Sequence, residues 1–116
     1  MSHQSEVMAK VNVASFNCSG YKSSQEYICN FILKKSDIVA LQETWLMPHE
    51  IALPGSVSPD FSAFSISSVD VGKGLIRGRP YGGLSFMWHE KLPQSVRIIT
   101  YVDDRILGLL CNFNNI

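Results

Sequence analysis

The sequence predicts an α/β fold, and three observations carry that prediction. Two short apolar runs, residues 11–17 and 37–43, flank a segment with helical periodicity. The second run, Asp37-Ile38-Val39-Ala40-Leu41-Gln42-Glu43, is continuously apolar in its middle, the pattern of a strand covered on both faces. From Leu84 onward, short apolar stretches alternate with turn-forming residues, the pattern of antiparallel strands.

Taken in chain order, Val11-Asn12-Val13-Ala14-Ser15-Phe16-Asn17 is the first expected strand, with Val11 and Val13 alternating before the pattern blurs. A helix is expected over residues 23–35. Ser23 and Glu26 stand at capping-box spacing, so each side chain can satisfy a free backbone N–H at the helix start. Tyr27, Ile28, Phe31 and Ile32 then mark one broad apolar face. Lys34 and Lys35 fall in the last turn, where positive charge complements the carbonyl end of the helix dipole. After the second strand, Pro48, Pro54, Gly55 and Pro59 punctuate a surface loop. Residues 61–67 alternate in part and read as a strand. Gly72, Lys73, Gly74 and Gly78 imitate a phosphate-binding loop, but neither their spacing nor a following helix fits the dinucleotide fingerprint. Strands are then expected at residues 84–88, 96–101 and 105–113, joined by turns at 90–94 and 102–104 and forming a single sheet.

A parallel pair joined by a right-handed crossover brings the carboxyl ends of both strands to one edge of the sheet. Ligands of open α/β sheets bind at that edge. Asn17 and Glu43 end the two runs, so a carboxamide and a carboxylate arrive there together. That pair suits an oxygen-ligated cation such as Mg²⁺. Gln42 is expected to hold Glu43 in place, since ligating carboxylates are usually fixed by a neighbour. Trp45, Tyr81 and Trp88 read as core or rim packing, and His89 as a surface residue at a strand end.

Three blocks resemble the endonuclease/exonuclease/phosphatase superfamily: Ser15-Phe16-Asn17-Cys18-Ser19-Gly20, Asp37 to Trp45 around Leu41-Gln42-Glu43-Thr44, and Gly78-Arg79-Pro80-Tyr81-Gly82-Gly83-Leu84. They are most similar to the apurinic-type endonuclease domain at the N-terminus of non-LTR retrotransposon polyproteins. The resemblance implies residues 1–10 as a flexible N-terminus and residues 11–116 as the N-terminal half of a DNase I-like, four-layer α/β sandwich, truncated at Ile116. It implies Mg²⁺- or Mn²⁺-dependent phosphodiester hydrolysis of DNA, with Glu43 as catalytic and metal-binding residue and Asn17 as catalytic, phosphate-orienting residue. Ser19, Gln42 and Arg79 would support the site or contact phosphate. At Ser19 the family commonly carries Asp or Asn, so a metal-dressing group is shortened here to a hydroxyl. The family's Asp-x-Asn block and terminal Asp-His pair have no counterpart within 116 residues, and none of His3, His49 and His89 stands where it could replace the general base. Asp103 and Asp104 occupy a turn for local backbone reasons. The fragment alone is therefore expected to be inactive and to bind Mg²⁺ weakly, with a longer polyprotein continuing into reverse transcriptase. The alternatives are a non-catalytic remnant of a mobile element and a phosphatase of a lipid or small phosphoester.

Composition narrows the class without deciding it. Hydrophobic residues make up 46% of the chain, enough to build a core. A formal net charge of zero offers no bulk attraction to nucleic acid. Lys73, Arg77 and Arg79 do form a local basic stretch free of acids. Cys18, Cys29 and Cys111 fit no zinc pattern and read as reduced thiols of a cytoplasmic or nuclear protein. The polar start lacks a secretory signal, and no apolar run approaches the roughly 18 residues of a membrane span. Asn17-Cys18-Ser19 matches the glycosylation acceptor pattern only by coincidence without secretion. Residues 106–111 are apolar on both faces, and such a strand left at an edge is an aggregation liability.

Overall fold

The first two strands lie side by side and parallel, as their apolar runs and the helix between them require. The structure, a computed structural model, describes residues 11–69, 81–92, 96–100 and 107–111. Strand β1 (Val13–Asn17) pairs with β2 (Ile38–Gln42) from Val13↔Ile38 to Asn17↔Gln42. Strand β4 (Leu84–His89) pairs antiparallel with β2 on its other side, and β3 (Phe61–Ile66) pairs antiparallel with β4. The four-stranded order is β1-β2-β4-β3. Strands β5 (Val96–Thr100) and β6 (Leu107–Cys111) form a separate antiparallel pair. The expectation of one sheet for the last three strands is therefore corrected: β4 is recruited by β2, while β5 and β6 pair with each other.

One face of the four-stranded sheet is sealed. Val39, Leu41 and Met87 are buried at the centre, under Tyr21, Ile28 and Leu33 of the helix. Burial of this apolar surface is the main stabilising term, about 25 cal/mol per Å² removed from water. Ser65 and Ser85 sit opposite each other on the same buried face, their hydroxyls 2.8 Å apart, so neither is left without a partner. The other face, with Ala40, Phe86 and Trp88, is half-buried. In β1 the inward residues are Ala14 and Phe16, while Val13 is 67% exposed. The alternation of Val11 and Val13 thus marked the outward side, one residue out of phase with the core.

The helix, α1, runs from residue 21 to residue 35, longer at its start than the capping box implied. It is α-helical over Tyr21–Tyr27, π-helical over Ile28–Ile32 and α-helical again over Leu33–Lys35. No side chain caps its start. Ser23 and Ser24 instead donate to the Gly20 carbonyl, 3.1 and 2.8 Å away. The expected apolar face is also rotated: Ile28 is buried and Ile32 packs on the core, but Tyr27 and Phe31 are 48% and 41% exposed. The π turn over Ile28–Ile32 brings Leu33, five residues after Ile28, onto the buried face together with Ile32, while Tyr27 rests against Phe16 with ring centres 5.5 Å apart. Tyr27 and Phe31 stack edge-on at 5.2 Å, and Lys35 Nζ lies 4.0 Å from the Phe31 ring centre.

Between β2 and β3 the expected loop contains two 3₁₀ turns, Pro48–Glu50 and Pro54–Ser56. Glu50 holds the first: its carboxylate accepts from Met47 N–H at 2.9 Å and pairs with Lys22 of α1. At the far edge of the sheet Asp37 is 7% exposed. It accepts from Asn12 N–H at 2.9 Å and pairs with Lys91 at 2.8 Å. Burial alone would raise the Asp37 carboxyl, but these two partners outweigh it and hold its pKa below the ordinary value. No described helix is long and apolar enough to cross a membrane.

Candidate functional site

Three segments converge at the carboxyl edge of the parallel pair: residues 17–21 after β1, residues 43–45 after β2, and residues 81–83 before β4. Backbone hydrogen bonds tie them together. Cys18 N–H donates to Gln42 O, Gly20 N–H to Glu43 O and Tyr21 N–H to Thr44 O, at 2.8–2.9 Å. The free N–H groups at the start of α1 are thus satisfied by the strand-end segment carrying Glu43, not by a side-chain cap. On the opposite side Thr44 N–H and Trp45 N–H donate to Gly83 O and Gly82 O, at 3.2 and 2.8 Å. Residues 43–45 are the hub of the site.

The backbone here is bent into unusual conformations. Ser19, Glu43 and Trp45 have φ of 47°, 55° and 58°, and they are the non-glycine residues with positive φ among those described. Each costs on the order of 1–3 kcal/mol and persists because its surroundings over-determine it; such strain clusters at functional sites. Two glycines make the close packing possible. A Cβ on Gly20 would lie 2.9 Å from the Trp45 ring, and a Cβ on Gly83 would lie 2.4 Å from Thr44 Oγ1.

Glu43 is half-buried. Its Oε1 accepts from the Trp45 indole Nε1–H at 2.8 Å and from Gly82 N–H at 3.3 Å. Among the described residues Oε2 accepts no hydrogen bond, so one carboxylate oxygen is anchored and the other is open. Asn17 is exposed, and its Oδ1 accepts from both the N–H and the hydroxyl of Ser19, at 3.0 and 3.2 Å. That turn commits the carbonyl oxygen locally and leaves the Asn17 amide N–H₂ as the group available to an anion. Asn17 and Glu43 therefore share an edge, and Ser19 orients Asn17. Gln42 does not hold Glu43. Its Nε2 donates to Ser15 Oγ at 3.0 Å and to Ala40 O at 3.2 Å, because strand alternation turns it onto the half-buried sheet face. Arg79 lies outside the described residues. His89 sits at the opposite edge, its Nδ1 accepting from Lys91 N–H, and His49 is exposed on the first 3₁₀ turn.

The donor chemistry admits a lightly held cation. Among the described residues no group of three or more His, Cys, Asp or Glu side chains comes together. Mg²⁺, however, is commonly held by one or two carboxylates with water and substrate oxygens completing its shell. An anchored carboxylate with one open oxygen fits that role. Thr44, 1% exposed, has a hydroxyl without a hydrogen-bond partner among the described residues, under the same turn.

The hydrogen bonds from Trp45 and Gly82 to Glu43 are the part of this site that sequence reasoning missed, although both residues lie in blocks that carry the resemblance. Tyr81 is 63% exposed and meets Trp45 edge-on, with ring centres 5.2 Å apart. The Trp at i+2 from Glu43 was readable as packing but not as a donor, because the contact depends on two left-handed residues curling the chain.

No protein-family model and no curated protein matches the chain. Among solved structures it is similar to the crystal structure of the Xenopus laevis APE2 catalytic domain, with a TM-score of 0.52 and 18% identity, covering 74% of this chain and 26% of that chain. The fold is DNase I-like. The chain spans about a quarter of that structure's length.

Proposed function

We propose that this chain carries part of the metal-assisted phosphodiesterase site of a DNA-processing nuclease of the endonuclease/exonuclease/phosphatase superfamily. The observation that carries the reading is the delivery of Asn17 and Glu43 to one sheet edge, in register through Asn17↔Gln42, with the Glu43 carboxylate anchored through one oxygen. The DNase I-like fold shared with the APE2 catalytic domain supports it.

In this reading Glu43 Oε2 holds Mg²⁺ or Mn²⁺, and the Asn17 amide N–H₂ donates to a phosphate oxygen of the substrate strand. A bound cation would supply charge stabilisation at the phosphate and the leaving oxygen. Ser19 keeps the Asn17 amide turned outward through its two hydrogen bonds. Among the described residues Glu43 belongs to no cluster of three or more His, Cys, Asp or Glu side chains, and this reading assigns no general base within the chain. Loss of general-base assistance alone costs about 10²–10⁴-fold in rate. The 116-residue chain by itself is therefore proposed to be inactive, its site completed by sequence of a longer retrotransposon polyprotein.

Nicking of supercoiled plasmid in Mg²⁺ tests this. The chain, its Glu43→Ala variant and a longer product of the same transcript reaching the Asp-His block are compared. Activity in the longer product alone, lost on Glu43→Ala, is the expected outcome. Glu43-dependent nicking by the short chain would refute its inactivity. A longer product carrying every motif yet silent on DNA would refute the nuclease assignment.

A further inference from the structure

Trp45 does more at this edge than fill space. Its ring covers Gly20, where even a methyl group would come within 2.9 Å, and its Nε1–H reaches Glu43 Oε1 at 2.8 Å. Left-handed φ at both Glu43 and Trp45 curls the chain around Thr44 and sets the two side chains against each other. Gly82 N–H approaches the same oxygen from the β4 side, and Trp45 N–H returns a bond to Gly82 O at 2.8 Å. Among the described residues both donors on the carboxylate are neutral. A lysine or arginine there would cancel the charge that attracts a cation, whereas an indole and a backbone amide fix the carboxylate while leaving its full negative charge. Both also address Oε1, which leaves Oε2 without a hydrogen bond among the described residues.

We infer that Trp45 is a positioning residue, its indole N–H clamping Glu43 Oε1 so that Oε2 is presented to a divalent cation. The inference rests on the metal-binding reading of Glu43 above, and the test separates the two.

The measurement is ¹⁵N–¹H NMR of the full chain. Its two tryptophans, Trp45 and Trp88, give two indole signals, and Trp45→Phe identifies the Trp45 signal by deleting it. Phe keeps an aromatic ring over Gly20, and dispersion of the remaining amide signals reports whether the variant is folded. The first arm contains no metal. In Glu43→Ala, and in the size-conserving Glu43→Gln should Ala unfold the chain, the Trp45 indole signal is expected upfield. In the Ala variant its hydrogen exchange is expected to be about tenfold faster, as loss of one charge-assisted hydrogen bond implies. An indole signal indifferent to Glu43 overturns the clamp. The second arm titrates Mn²⁺ and follows paramagnetic broadening of amides 43–45 and 82–83. Trp45→Phe is expected to need about 10–100-fold more Mn²⁺ for equal broadening, the usual effect of losing a partner behind a metal ligand. Equal broadening in both chains overturns the positioning role while upholding the metal reading. Selective broadening in neither overturns the metal reading, and with it the inferred role of the clamp.

Discussion

Gly83→Ala probes the junction on which the Glu43 segment rests. Gly83 has φ of 94°, is buried, and accepts from Thr44 N–H while donating to Ser68 Oγ at 2.9 Å. An added Cβ meets two separate penalties. The backbone penalty for a side chain at positive φ is about 1–2 kcal/mol. The steric penalty comes from Thr44 Oγ1 at 2.4 Å, with Trp45 N at 3.4 Å and Ile66 O at 3.5 Å closing the other directions. Relief of such overpacking by shifts of side chain and backbone costs about 1–3 kcal/mol. Together they predict a loss of about 2–5 kcal/mol, or a melting temperature lower by on the order of 10–20 °C. Urea unfolding followed by tryptophan fluorescence is the assay, with an unchanged slope expected because the exposed surface is unchanged. Thr44→Ala separates the two penalties. Alone it removes a buried hydroxyl with no described partner along with a methyl group, and it is expected to be neutral within about 1 kcal/mol. In the Thr44→Ala background, Gly83→Ala retains the backbone penalty and loses the steric one. Additivity of the two substitutions within about 0.5 kcal/mol would refute the contact, and an unchanged midpoint for Gly83→Ala would refute the packing of this turn altogether.

Three further predictions follow from other parts of the molecule. Asp37 has a folded pKa below its unfolded value of about 3.9, so its contribution is present above that value and lost as pH falls through the folded pKa; the stability gap between the chain and Asp37→Asn, measured by urea titration at a series of pH values, should be flat above about pH 5 and close as pH falls below about 4. A constant gap down to pH 2 would contradict it. On α1, Ile28→Ala should cost about 2–5 kcal/mol because Ile28 is fully buried, whereas Tyr27→Ala at the half-exposed neighbouring position should cost about 1 kcal/mol or less; the reverse order in chemical denaturation would restore the regular α-helical face. Mg²⁺ at a concentration equal to its Kd adds only about 0.4 kcal/mol of stability, so millimolar Mg²⁺ should barely move the melting temperature of the chain; a low-micromolar site in calorimetry, abolished by Glu43→Ala, would show that more ligands converge on the cation than Glu43 and Asn17.

Much of the architecture was legible along the chain because it is written in local periodicity. The apolar run from Ile38 to Leu41 marked a buried strand, the helical spacing before it marked α1, and the parallel pairing followed from the connection between them. The shared edge of Asn17 and Glu43 followed in turn, since topology alone delivers both strand ends to one side. Tertiary structure decided whatever depends on partners distant in sequence. The start of α1 is set by the carbonyls of Glu43 and Thr44, which satisfy Gly20 and Tyr21 N–H, and a capping motif at Ser23 and Glu26 could not compete with them. Across the π turn α1 buries Ile28 and Leu33, packs Ile32 on the core and leaves Tyr27 and Phe31 half-exposed, a matter of packing that no single helix encodes. Gln42 turned to Ser15 while Trp45 took the carboxylate of Glu43, because a strand alternates its side chains up to its last residue and left-handed residues beyond it abolish the alternation. Which residues reach the edge was thus determined by sequence, and which atoms are held or left open there by contacts that only the folded chain creates.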